Sequence, residues 1–304
     1  NQSETTLAIE KQQELIGEFR EWVWKDERRS KTLTDIFENK YACYKRRFYD
    51  GSFLDFPNMS KSVELYPYQK NAVARIIFNP NTLLAHDVGS GKTYVMIAAG
   101  MELRRMRLSK KNLYVVPNSI VGQWRKTFLS MYPDANLLVV DSKNFTPDKR
   151  GYTLEKIRDN DYDGIIMAYS CFDRIPFSKQ RMKDSIECQE DAIENTDFCG
   201  DRRASVLKKK KQIRELRDAL DEITLSFAVT FEELGITGLF VDEAHNYKNV
   251  SIKTRFNKVL GINADGSKKC DQMMEKVRYV QKNDEKVVFA TGTPITNSVT
   301  DAYI

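Results

Sequence analysis

Two hydrophobic periods alternate along the chain. Short apolar runs at Thr82–Ala85, Asn112–Val116, Leu137–Val140, Gly164–Ala168, Gly238–Val241 and Lys286–Ala290 have the length and composition of strands, and the first reads as a buried one. Between them lie helical patterns. One runs from Ala72 to Phe78 and another from Tyr94 to about Arg107. In a third, Ile120, Trp124, Phe128 and Met131 fall on one face. Strands alternating with helices predict an α/β domain with a mostly parallel, doubly wound sheet.

Two stretches break this alternation. Residues 1 to about 50 read as helical, with an apolar stripe through Leu7, Ile9, Leu15, Ile16, Phe19, Trp22 and Val23 and a second helix from about Leu33 to Phe48. We expect a packing appendage, joined by a linker at Asp50–Ser62 that contains Gly51, Pro57 and Asn58. From Arg174 to about Phe227 strand signals vanish, and Val206, Ile213, Leu216, Leu220, Ile223 and Phe227 repeat at three- and four-residue spacing. This predicts an inserted helical hairpin over about 174–228, with Lys208–Lys211 on its second arm. The expected division is therefore 1–62, appendage and linker, and 63–304, the α/β domain.

Composition narrows the class. In 304 residues, 41% are apolar and 30% charged, which suits a soluble domain with a true core. No apolar run reaches the ~18 residues a membrane-spanning helix needs, so no membrane partner is expected. Net charge is +5, too mild to argue for nucleic acid alone. The five cysteines form no C-x-x-C pair and only two histidines are present, so a zinc site is not expected and a reducing, cytoplasmic setting is.

The chemistry centres on His86-Asp87-Val88-Gly89-Ser90-Gly91-Lys92-Thr93, placed between a predicted strand and a predicted helix. Gly89 and Gly91 let backbone N–H groups converge, with Ser90 between them, and a helix start adds positive potential. Lys92 can reach the β- and γ-phosphates of a nucleotide, and the Thr93 hydroxyl can ligate Mg²⁺. His86 stands where the full phosphate-loop pattern has glycine. Upstream, Gln69 carries an amide that can donate to and accept from an adenine edge. Downstream, Gly238–Val241 runs into Asp242-Glu243 at the expected carboxyl end of a strand, where open α/β sheets place their chemistry. There Asp242 can hold Mg²⁺ and Glu243 can polarise the attacking water.

In order, these pieces resemble the first RecA-like motor domain of superfamily 2 helicases, the Swi/Snf-like branch in particular. The resemblance rests on Tyr66-Pro67-Tyr68-Gln69, Asp87–Thr93, Val115-Val116-Pro117-Asn118-Ser119 with Gln123-Trp124, Ala168-Tyr169-Ser170, Asp242-Glu243-Ala244-His245 with Lys248-Asn249, and Thr291-Gly292-Thr293-Pro294-Ile295-Thr296-Asn297. It implies ATP and Mg as cofactors, with Lys92, Asp242 and Glu243 catalytic. It also implies nucleic-acid contact or coupling at Pro117, Asn118, Ser119, Trp124, Tyr169, Ser170, Thr291, Gly292 and Thr293. The implied partner is DNA, with duplex expected, and the protein is expected to be a monomer. A looser likeness, in Asp50–Ser52 and Phe56-Pro57-x-Met59, points to large bacterial mobile-element or phage proteins that join such a motor to a DNA methylase.

That family also has a second RecA-like domain, which supplies an arginine finger. The sequence begins at Asn1 and stops at Ile304, soon after Thr291–Pro294, so half a motor with weak turnover of its own is expected. Two readings of other classes compete: a nucleotide- and DNA-binding module without turnover, and a small-molecule kinase using the same loop. DNA-stimulated phosphate release separates the three.

Overall fold

The computed structural model describes residues 2–41, 47–181, 183–184, 229–250 and 267–295. It divides into two units, residues 1–48 and 49–304. In the first, α1 (Gln2–Lys25) is followed by α2 (Glu27–Lys40). Asp26 starts α2 as an N-cap, its carboxylate accepting from Arg29 N at 2.9 Å. This capping residue sets α2 earlier than the apolar pattern from Leu33 suggests.

The second unit opens with a segment that the sequence reads as a linker. Its glycine, proline and asparagine do make turns, but Leu54 and Phe56 are buried in the core, and Gly51 N donates to Asn71 Oδ1 at 2.8 Å. A Cβ on Gly51 would collide with the backbone of Lys70, so the close approach itself needs glycine. The segment is therefore part of the α/β unit, and the boundary falls at Phe48/Tyr49 rather than at residue 62.

Next come α3 (Pro67–Phe78), β1 (Asn81–Ala85), α4 (Lys92–Arg105), β2 (Asn112–Val116), α5 (Val121–Met131), β3 (Leu137–Val140), α6 (Pro147–Asp159), β4 (Gly164–Ala168) and the short α7 (Tyr169–Phe172). After these follow β5 (Gly238–Val241), α8 (Lys268–Lys282) and β6 (Lys286–Thr291). The six strands form one sheet in the order β1-β6-β5-β2-β4-β3, every pair parallel. The expected α/β sheet is thus present. The predicted hairpin over 174–228 lies almost wholly outside the described residues, as do Lys208–Lys211 and Thr296-Asn297.

Position in the sheet explains the strand patterns. β2, β4 and β5 are buried at every residue, as interior strands covered on both faces must be. β1 is an edge strand and alternates, with Thr82 and Leu84 inward and Leu83 half exposed, so the uniformly buried strand expected at 82–85 is half-buried instead. The core centres on Tyr114 of β2. Its ring stacks on Phe240 of β5, with centroids 4.9 Å apart, and meets Phe128 and Trp124 of α5. α5 buries Trp124, Phe128 and Met131 of the predicted face, with Val121 beside them, while Ile120 is half-buried in the turn before the helix.

Parallel strands carry all their carboxyl ends to one edge of the sheet. The phosphate loop leaves β1, Pro117–Ser119 leaves β2, Tyr169-Ser170 leaves β4, Asp242-Glu243 leaves β5 and Gly292-Thr293 leaves β6. Topology alone thus assembles five segments, the outermost of them about two hundred residues apart in sequence.

Candidate functional site

The phosphate loop turns through two left-handed glycines, Gly89 at φ +84° and Gly91 at φ +75°. Gly91 caps the start of α4, and Lys92 and Thr93 are its first residues. Lys92 is largely buried and its Nζ donates to the carbonyls of His86 and Asp87, both at 3.0 Å. Thr93 is half-buried on the same turn.

Gln69 is 5% exposed and clamps the loop to α3. Its Oε1 accepts from Tyr66 N at 2.9 Å, and its Nε2 donates to Ser90 O at 3.1 Å. Tyr68 Oη donates to the same carbonyl at 2.9 Å. The amide expected to face a base is thus engaged at both ends with the protein, though each end keeps one further hydrogen-bonding capacity. Beside it an open cleft of about 380 Å³ is lined by Tyr68, Ala85, His86, Asp87 and Ser90. His86, which sequence reasoning treats as loop filler, packs its ring edge-on to Tyr68, and burial with the Lys92 charge lowers its pKa.

Just beyond β5, Asp242 is 5% exposed. Its Oδ2 accepts from the Trp124 indole Nε1 at 2.9 Å and its Oδ1 from the Glu243 backbone N at 3.0 Å. Burial pushes the Asp242 carboxyl up from the usual range, with Glu243 adding to this. The Trp124 and Glu243 N–H groups and the Lys92 charge oppose it. Glu243 sits in the left-handed region at φ +50°, a strained conformation for a side-chain-bearing residue. It is held there by Asn246, whose backbone and side-chain N–H groups each donate to Glu243 O at 3.0 Å, and by Tyr169 Oη at 3.2 Å. Tyr169 Oη also donates to Asp242 O.

His245 joins the acids to β6. Its Nδ1 lies 3.2 Å from Glu243 Oε2, 3.0 Å from Thr291 Oγ1 and 3.5 Å from Thr293 Oγ1. One ring nitrogen either donates to the carboxylate or accepts from a hydroxyl, so these contacts are alternatives. Gly292 closes the ring of segments. A Cβ there would lie 2.7 Å from Val88 Cγ2 and 3.4 Å from Lys92 Nζ. His245 is the site member that sequence reasoning did not single out. Its signal is its place as the last residue of the Asp-Glu-Ala-His box.

The other expected contact residues separate into two groups. Asn118 and Ser119 are exposed and Pro117 and Ser170 half-buried, with Asn118 Nδ2 donating to Ser170 Oγ at 3.0 Å and Ser170 N returning to Asn118 Oδ1 at 3.2 Å. Asn118 also lines a cleft of about 510 Å³ that includes Arg125, Asp141 and Lys143. Trp124, Tyr169 and Thr291 are instead buried. Trp124, at 1% exposed, cannot touch nucleic acid without unpacking the core, so of the expected contact or coupling its place is compatible with coupling alone.

The site suits a magnesium nucleotide. Ser90 Oγ and His86 Nδ1 are buried polar atoms with no partner among the described residues, and the Lys92 ammonium lies on the carbonyls of the same loop. No group of three His, Cys, Asp or Glu residues could cage a metal among the described residues. Magnesium characteristically takes one or two carboxylates together with substrate phosphates, and Asp242 could supply such a carboxylate.

These features define an α/β domain with a glycine turn and an acidic pair at one edge of a parallel sheet. The chain belongs to the probable helicase domain family, whose model matches residues 75–304, in agreement with the Swi/Snf-like resemblance of its motifs. It is a helicase-type motor domain. A second model, of a domain of unknown function, matches residues 1–43. The chain is 22% identical to the defense against restriction protein B of Escherichia phage P1, over 95% of this chain and 15% of that protein. It is 31% identical to the ATP-dependent helicase fft1 of Schizosaccharomyces pombe, over 34% of this chain and 11% of that protein. The solved SWI2/SNF2 ATPase core of Sulfolobus solfataricus in complex with dsDNA aligns with a TM-score of 0.45 at 18% identity, over 83% of this chain and 36% of the other. The chain thus spans only a small part of these relatives. No helix among the described residues is long and apolar enough to cross a membrane.

Proposed function

We propose that this domain is the ATP-binding half of an ATP-dependent DNA helicase or duplex-DNA translocase. The observation that carries this reading is the meeting of the glycine loop, the acidic pair and the end of β6 at one edge of the sheet. Gly292 lies close to Val88 and Lys92, and His245 Nδ1 is within reach of Glu243 on one side and of Thr291 and Thr293 on the other, as alternative partners. Nucleotide chemistry and a second surface are thereby in contact.

Each residue has a role in this reading. Lys92 and the loop N–H groups bind the phosphates. Thr93 and Asp242 hold Mg²⁺, which when bound neutralises charge on the β- and γ-phosphate oxygens. Glu243 orients the attacking water and accepts its proton. The Tyr68–Ser90 cleft receives the base, with Gln69 shaping its floor. Asn118, Ser119 and Ser170, with Arg125 and Lys143 beside them, face the nucleic-acid backbone.

Efficient turnover needs a positive charge on the transferring phosphoryl group, and the helix that follows the loop does not supply it. Arg104 lies about 18 Å along α4 from Lys92, bonded to Asp161 and Asp163 at 2.7 and 3.0 Å, and Arg105 pairs with Glu102 at 2.6 Å. A second RecA-like domain would bring an arginine finger, worth about 10³–10⁵ in rate. The similarity to a phage protein supports a place in a large mobile-element or phage protein.

The test has two arms. Calorimetry should detect Mg-ATP binding by residues 1–304 and lose most of it in Lys92→Ala. Phosphate release should be weak for 1–304 and become DNA-stimulated when the second domain is joined. Equal binding by wild type and Lys92→Ala would overturn the reading. Strong turnover stimulated by a small acceptor would point to a kinase, and binding without turnover in the joined protein to a passive module.

A further inference from the structure

We infer that Trp124 is a positioning residue for the metal-holding carboxylate, its indole N–H fixing Asp242 from inside the core. The inference rests on the Mg-nucleotide reading of Asp242. It starts from a residue type that packing alone does not demand. Trp124 lies against Tyr114, with ring centroids 5.6 Å apart, and is 1% exposed. Phe128, one turn further along α5, shows that a plain hydrocarbon ring serves this face. An indole adds one donor, and a buried donor without a partner is costly. Here the partner is Asp242 Oδ2 at 2.9 Å, 118 positions away in sequence.

The geometry on the carboxylate gives the bond its meaning. Glu243 N holds Oδ1 at 3.0 Å and Trp124 Nε1 holds Oδ2 at 2.9 Å, so one donor on each oxygen fixes the carboxylate torsion. A carboxylate offers about four lone-pair sites. Two therefore remain in a defined direction for a metal or its water. The Glu243 donor belongs to the backbone and no side-chain change removes it. Trp124 is the donor that a substitution can delete. Outer partners of metal ligands typically contribute about 10–100-fold in metal affinity or activity.

The experiment uses ADP and MgCl₂ with residues 1–304. Trp124→Phe keeps the aromatic volume and deletes the N–H. ADP affinity without metal should stay unchanged, whereas the Mg²⁺ concentration that half-saturates the ADP complex should rise by about 10–100-fold. A second measurement needs no variant at Trp124. With Trp22 and Trp24 of the first unit replaced by phenylalanine, Trp124 contributes the single indole N–H resonance. Asp242→Ala should move that resonance strongly, and Mg-ADP should perturb it only while Asp242 is present. A wild-type Mg²⁺ titration in folded Trp124→Phe, or an indole resonance indifferent to Asp242→Ala, would overturn the inference. Failure of the wild type to bind any nucleotide would overturn the ATP reading instead, and the indole resonance would still decide whether Trp124 holds Asp242.

Discussion

Around the glycine loop, Ser90 Oγ and His86 Nδ1 are buried without partners among the described residues, and Lys92 bonds backbone carbonyls. Around the Asp242–His245 box, the backbone carbonyls of Asp242 and Glu243, both Asp242 oxygens and the His245 ring are already held. The two halves of the site meet at Gly292 but are stabilised differently. Neutral carbonyls around Lys92 are weaker partners for an ammonium than phosphate oxygens, so nucleotide can replace them at a net gain. The box needs no such exchange, because its acids are positioned before any ligand arrives. Pre-positioned polar groups are what a transition state rewards, since they require no reorganisation during the reaction. Affinity should therefore reside in the loop and turnover in the box.

The sharpest way to break that division is to alter each side without altering the other. Glu243→Gln keeps the size and the carbonyl of the side chain but removes its basicity. In the protein joined to a second motor domain, hydrolysis should fall by about 10²–10⁴, while Mg-nucleotide affinity stays within a few-fold. Lys92→Ala should show the reverse order, with affinity lost first. Steady-state phosphate release and calorimetry on both variants check this. If Glu243→Gln weakened binding as much as Lys92→Ala, the division would fail.

Part of this contrast is legible in the chain and part is not. The loop reads well because strand, glycines, Lys-Thr and helix are contiguous, and so does the box, at the end of an apolar strand. The partners of the box do not, because Trp124 and Tyr169 meet Asp242 only after the sheet has formed. Periodicity places Trp124 on a buried face, but it carries no information on where one indole N–H points. β1 reads as buried because four apolar or small residues look alike in a central or an edge strand. Residues 50–62 read as a linker because turn residues dominate them, while the two that anchor the segment, Leu54 and Phe56, are spaced by a single residue in a run with no other period. Lys276 gives a subtler lesson. It shares a helical face with Met273, Val277 and Val280, and a lysine on an apolar stripe was the available sign that a cation is buried.

That lysine sharpens the comparison from behind the box. Lys276 is 1% exposed, its Nζ donates to Phe172 O at 2.6 Å, and it lies 4.2 Å from the Phe172 ring. Phe172 ends the same short helix that begins with Tyr169. Burial pushes the Lys276 amine down to about 7, with the nearby Asp173 carboxylate opposing. In the unfolded chain an ordinary lysine holds its proton to about pH 10.4. Between these values the unfolded state binds more protons, so stability rises with pH, by up to about 1.4 kcal/mol per unit. Below pH 7 both states are charged and this slope vanishes. Asp173 and Lys269 also face this region, so the readout is the difference between proteins. Denaturant melts from pH 7 to 10 should show the rise in wild type and a flatter profile in Lys276→Met. Parallel profiles would mean that the amine stays charged in the folded protein.

The smallest expected effect separates two glycines within the loop. Both Gly89 and Gly91 have positive φ, so alanine at either position carries a left-handed penalty of about 1–2 kcal/mol. Their surroundings differ. A Cβ on Gly89 meets nothing within 4 Å, whereas one on Gly91 would lie 2.5 Å from Gln69 Nε2. That amide is tied to Tyr66 at one end and Ser90 at the other, so it can yield only by giving up its bond to Ser90. Gly91→Ala should therefore cost about 1 kcal/mol more than Gly89→Ala, the worth of one net hydrogen bond, and should weaken ADP binding as the clamp loosens. A double-mutant cycle isolates the cause: with Gln69→Ala in place, the excess at Gly91 should disappear. Equal melting shifts for the two alanines in the wild-type background would show that the loop is held by its turn geometry alone, with Gln69 a bystander. An excess that survives Gln69→Ala would move the clamp to another neighbour, for which the Tyr94 ring, 3.8 Å from the same Cβ, is the next contact.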